Sequence, residues 1–206
     1  MKTFGIAAAT VSAAATIAVA LSGTANAAAL TKEVKAEFNA TAKVVDKFWA
    51  KHYSEYFGGT YTSPNFRGLV YDTVNTACGE MKTNNAFYCP ADDSVTFGAP
   101  FIGEASKLGD LWIYDVVAHE WGHAIQTRAG LPMNELAAEC IAGATLGEMA
   151  ADGIVVVEDG DEEELVRLDQ FAGDAHPAQS NADHGTAQEQ HDSFMKGWNG
   201  GVRACI

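Results

Sequence analysis

The chain has 206 residues, 48% of them hydrophobic, and a formal net charge of −14. That is enough apolar material for one substantial core, and too much for a disordered chain. The acid excess argues against nucleic acid or an anionic membrane as a partner, though it selects no substrate.

Lys2 leads into an Ala-rich apolar run from Phe4 to Leu21, and Ala25-Asn26-Ala27 has the small-x-small form of a cleavage site. This predicts a signal peptide over residues 1–27 and an exported domain over 28–206. The competing reading is a retained membrane anchor, because the run approaches spanning length. The weakly hydrophobic alanines and the well-formed cleavage ending favour export, to the extracellular space, periplasm or cell envelope. No other stretch is long and apolar enough to cross a bilayer.

Thr31 to Phe57 predicts a long amphipathic helix, with Val34, Phe38, Val45, Phe48, Trp49, His52 and Tyr56 at helical spacing and Gly58-Gly59 as its stop. The stripe reads as core packing, and His52 as a packed histidine rather than a ligand. Between Tyr61 and Pro100, Pro, Gly and Asn punctuate short runs. Gly68–Tyr71 and Ser94–Phe97 are predicted strands of a small sheet. Leu108 to Arg128 reads as a second helix and Pro132 to about Ala151 as a third, with Gly130 and Pro132 as stop and start signals. The acidic run Glu158–Glu164 suits a solvated loop and a helix N-terminus. It lacks the spacing of an EF-hand, which disfavours calcium. Thr186-Ala187-Gln188-Glu189 is a capping box that opens a final helix running to about Trp198.

Cys78, Cys89, Cys140 and Cys205 are even in number, as an oxidising compartment would use them. Three connectivities can join them. Cys78 with Cys89 is favoured, because Gly79, Asn84 and Asn85 let the intervening segment turn. Cys140 then pairs with Cys205 and pins the C-terminus to a helix near the site. No C-x-x-C spacing supports a cysteine metal site.

The second helix carries His119-Glu120-Trp121-Gly122-His123, an H-E-x-x-H motif. Residues four apart share a helix face, so both imidazoles can grip one metal ion. Glu120 can reach a water on that metal, the arrangement in which a carboxylate serves as general base of a zinc hydrolase. Unpaired burial of these groups inside an apolar helix would be costly, which favours a metal site. A catalytic zinc takes a third protein ligand and keeps one position for water. Glu135 and Glu139 lie on one face of the third helix. In an E-x-x-x-E logic Glu135 binds zinc, and Glu139 accepts the N–H of a ligating histidine. Hairpin geometry allows either carboxylate to face His123. The choice of Glu135 gives both a task.

The ordered motifs Tyr61-Thr62-Ser63-Pro64, Ala77-Cys78-Gly79, Phe87-Tyr88-Cys89-Pro90-Ala91-Asp92, Val117-Ala118 before the H-E-x-x-H, Glu135 to Gly143, His184-Gly185-Thr186 and Cys205 span most of the exported domain. In this set the chain resembles the neutral zinc metallopeptidases of bacteria, a gluzincin-like group. It departs by having Glu139 where the family usually has Asp, and Ala124 where a further histidine is common. The resemblance implies an α+β, zincin-like fold, mostly helical with a small sheet, whose motif helix packs against a Glu-bearing helix. It implies Zn2+ held by His119, His123 and Glu135, Glu120 as base, and the two disulfides above. His184 precedes a helix start and recurs in the family, which makes it the candidate donor to the oxyanion; Tyr88 is a weaker one. His176 and His191 read as surface residues. Ser94–Phe97 is expected above the motif helix, as an edge strand able to hold an extended substrate.

These readings converge on a secreted zinc-dependent endopeptidase acting on peptide or protein substrates. A zinc hydrolase of non-protein amides, such as cell-wall peptides, is the alternative within enzymes. An inactive zinc-stabilised binding protein is the alternative outside them, and the intact Glu120 argues against it.

Overall fold

The computed structural model describes residues 30–172 and 184–206. The expected signal segment with its cut after Ala27, and His176, lie outside the described residues. Helix α1 (Lys32–Phe57) begins where the Thr31 hydroxyl accepts the Val34 amide at 3.2 Å. It ends at Gly58, whose φ of 69° suits only glycine comfortably. Phe38, Val45, Phe48, Trp49 and Tyr53 form its buried face. His52 stacks on Phe48 with ring centroids 4.7 Å apart, and its Nδ1 lies 3.2 Å from Glu55 Oε2. It packs, as its place in the apolar stripe suggests.

Five strands follow among the described residues: β1 (Asn65–Val70), β2 (Val74–Thr76), β3 (Gly79–Met81), β4 (Ala86–Cys89) and β5 (Ser94–Gly98). β2 and β3 pair as a hairpin, while the larger sheet has the order β1-β5-β4. β5 runs parallel to β1 and antiparallel to β4. All five residues of β5 are buried. The unbroken run Ser94-Val95-Thr96-Phe97 is therefore a central strand covered on both faces. This corrects the expectation of an edge strand there. β1 and β4 flank it and are the two edges of the sheet.

A short helix α2 (Ala99–Ala105), unanticipated in the sequence, takes Pro100 in its first turn, where a missing N–H breaks no helical bond. Helix α3 (Leu111–Ala129) carries the motif and stops at Gly130 in the left-handed conformation, φ 68°. Helix α4 starts at Glu135 rather than Pro132 and runs to Ala151, because the Asn134 side chain is the cap that accepts the Ala137 amide, at 2.8 Å. Helix α5 (Asp161–Ala172) takes up the acidic run. The Thr186–Glu189 capping box opens α6 (Ala187–Gly200), and a 3-10 turn, Val202–Ala204, closes the chain.

Helix α4 lies against both α3 and α6, and small residues let the backbones meet. A methyl group built on Gly122 would lie 2.8 Å from the Ala138 carbonyl oxygen. One on Gly143 would run into the Phe194 carbonyl, and one on Gly197 into that of Cys140. The Cys140–Cys205 disulfide ties α4 to the C-terminus, and Cys78–Cys89 ties the β2–β3 hairpin to the end of β4. Both pairs are those read from the sequence. The architecture is α+β and mostly helical, with the motif helix packed on the Glu-bearing helix. No helix of the described residues is long and apolar enough to cross a membrane.

Candidate active site

The α3–α4 hairpin brings His119, His123 and Glu135 together. Each Nε2 lies 3.1 Å from Glu135 Oε2. Glu139, one turn further along α4, holds His119 from behind, with Oε2 2.9 Å from Nδ1. Of the two facings that hairpin geometry allowed, the one that sets Glu135 against His123 is found. Gly122 makes it reachable, since any side chain there would push α4 away.

The remaining polar neighbours fix the tautomers, here assigned from the hydrogen-bond network. Gln126 Nε2 donates to the Asn134 carbonyl at 2.8 Å, and its Oε1 accepts the Asn134 amide at 3.3 Å. That oxygen faces His123 Nδ1 at 3.1 Å. An amide oxygen only accepts, so Nδ1 carries the hydrogen and Nε2 keeps its lone pair. The Glu139 carboxylate imposes the same tautomer on His119. In neutral imidazoles these tautomers aim both Nε2 lone pairs at the Glu135 carboxylate oxygen, a set that a proton or a bound cation satisfies. Two histidines and a glutamate are a donor set that zinc takes with one position left for water.

The surrounding field favours that cation. Burial alone would lower the pKa of His119, but the hydrogen bonds of Glu135 and Glu139 and the charge of Glu120 draw it well above the usual imidazole value. Burial likewise pushes Glu135 up, and the pull of His119 and His123, felt wherever an imidazole carries a proton, outweighs it and holds the carboxylate well below its usual range.

Glu120 is 7% exposed. Burial and then the nearby Glu135 charge raise its pKa; His119, His123 and the Tyr88 backbone amide act in the other direction. Its Oε2 has no hydrogen-bond partner among the described residues. The carboxylate lines a cleft of about 350 Å³, which Asn85, the β4 residues Ala86 and Tyr88, Glu135 and His184 also line.

His184 stands just before α6, with Nε2 3.6 Å from Glu135 Oε2. The Gln190 side chain donates to its carbonyl and holds the turn. The Tyr88 hydroxyl donates to Asp93 Oδ1 at 2.9 Å, so it is engaged there and not with the metal donors. That weighs against the weaker oxyanion candidate. His191 is half-buried on α6. In the acidic run, Glu164 accepts the Leu111 amide at 3.3 Å and so caps α3.

Sequence reasoning passed over Gln126 and the support of Trp121. Trp121 Nε1 donates to the Tyr61 hydroxyl at 3.1 Å, which donates to Asp46 at 2.7 Å. The available signals were a polar residue inside the apolar segment Ala124-Ile125-Gln126 and an Asp on the inner side of α1.

A family model described as "Putative neutral zinc metallopeptidase" matches residues 3–134. It takes in all of α3 and stops before Glu135, so geometry alone speaks for the third donor. Among curated proteins and solved structures, none matches the chain.

Proposed function

The chain belongs to the neutral zinc metallopeptidase family, and from that premise we propose that it is a secreted endopeptidase of zincin-like fold. His119, His123 and Glu135 hold the zinc, and Glu120 is the general base. The observation that carries this reading is the convergence of both Nε2 atoms on Glu135 Oε2, beside a buried Glu120 carboxylate oxygen without a partner among the described residues.

When bound, zinc supplies a Lewis acid that draws the pKa of water toward about 7 and polarises a carbonyl. The chain does the rest. The β4 edge holds an extended peptide by backbone hydrogen bonds. Its ladder alternates, and the Gly98 amide on the Asn85 carbonyl sets the phase, so the backbone groups of Ala86 and Tyr88 point away from β5. Glu120 takes a proton as the water oxygen bonds to the scissile carbonyl carbon. The C–N bond then breaks, and Glu120 returns the proton to the leaving amine. His184 donates to the carbonyl oxygen as negative charge grows on it. The signal-like N-terminus and two disulfides support export.

The test uses purified mature protein, its zinc content and hydrolysis of a denatured protein substrate. Glu120→Gln should keep the zinc and lose activity by about 10²–10⁴-fold. Glu135→Ala should lose the zinc. Equal activity of wild type and Glu120→Gln would refute the mechanism, and full zinc retention in Glu135→Ala would refute the ligand set.

A further inference from the structure

A cluster outside that mechanism joins the substrate edge to the motif helix. Asp93 stands at the turn between β4 and β5 with φ 51°, the one non-glycine residue with positive φ among the described residues. Its carboxylate accepts Arg128 Nη2 at 2.9 and 2.8 Å and the Tyr88 hydroxyl at 2.9 Å. Arg128, in the last turn of α3, is itself held firmly. It donates to the Thr62 carbonyl at 2.6 Å and the Ala124 carbonyl at 2.9 Å, and its guanidinium lies over the Tyr61 ring. Tyr88 is thus anchored by its hydroxyl, through Asp93, to α3.

We propose that Arg128, Asp93 and the Tyr88 hydroxyl are positioning residues, which fix β4 at the height over α3 where its free edge can hold an extended peptide. This rests on the peptidase reading above. β4 has four residues and a sheet partner on one side only, so ladder bonds alone pin it weakly. Stability accounts poorly for the cluster. The Asp93 side chain is 46% exposed, so water screens its pairing with the 10% exposed Arg128, and its backbone holds a positive φ that costs free energy. Placement of β4 accounts for both.

Asp93→Gly removes the carboxylate and suits the positive φ, so the fold survives. Asp93→Asn keeps the conformation and one acceptor. Tyr88→Phe removes only the hydroxyl. The readouts are kcat and KM on a blocked hexapeptide and on a blocked dipeptide amide, with hexapeptide affinity for the Glu120→Gln protein as a readout without turnover. Asp93→Gly and Tyr88→Phe should each raise the hexapeptide KM about five- to tenfold, and leave the dipeptide KM within about twofold. The double variant should be no worse than either single one, and Asp93→Asn should stay near wild type. An unchanged hexapeptide KM and affinity in Asp93→Gly overturns the proposal, as does an equal rise on both substrates. A wild type that cleaves neither peptide, with hexapeptide affinity still weakened by Asp93→Gly in the Glu120→Gln background, sinks the peptidase reading and leaves the positioning role standing.

Discussion

An imidazole is a ligand only at the nitrogen that keeps its lone pair, so the groups behind His119 and His123 matter as much as those in front. Gln126 holds the His123 tautomer, and the amides around Asn134 fix which way Gln126 faces. Gln126→Leu should weaken zinc binding about 10–100-fold, read by competition with a chromophoric chelator, while Gln126→Glu restores the acceptor and most of the affinity. At this scale the sequence was partly legible. Spacing on a single helix exposes His119, Glu120 and His123. Glu135 and Glu139 could be separated only by the facing of two helices, which depends on where the hairpin turns. Gln126 stayed hidden because its role needs the Asn134 backbone, eight residues on, to fold back beside it.

Helices were read best where local chemistry ends them: Thr31, Gly58, Gly130 and Thr186 each act at the position their side chain, or lack of one, suits. The sheet was read worst. Its order brings Asn65–Val70 beside Ser94–Gly98 as a parallel pair, a long-range choice that alternation within one strand cannot encode. The helix stack also rests on absences of side chain. Gly197→Ala drives a methyl into the Cys140 carbonyl and should cost about 1–3 kcal/mol, seen as a lower denaturant midpoint at unchanged slope. Because α6 follows directly on His184, the same variant should reduce kcat on peptides more than it reduces zinc content.

Across the whole molecule, the two disulfides show how the parts are secured. Cys140 and Cys205 are 65 residues apart, Cys78 and Cys89 only 11. In the chain-entropy model these closures are worth about 4 and about 3 kcal/mol. Replacing Cys140 and Cys205 by serine should therefore lower the unfolding free energy by about 2–5 kcal/mol, measured by urea titration, and more than the Cys78–Cys89 replacement does. Helix α4 has a different dependence on the whole. At 17 residues, with Ala138, Ala142, Gly143 and Ala144 beside Ile141, Leu146 and Met149 on its buried side, it is marginal as an isolated helix in water and takes its order from packing on α3 and α6. The two imidazoles are set by the local geometry of α3, whereas the third donor arrives only when the stack closes around α4. On the proposed reading, hydrolytic competence therefore depends on the docking of α4 and not on the motif helix alone.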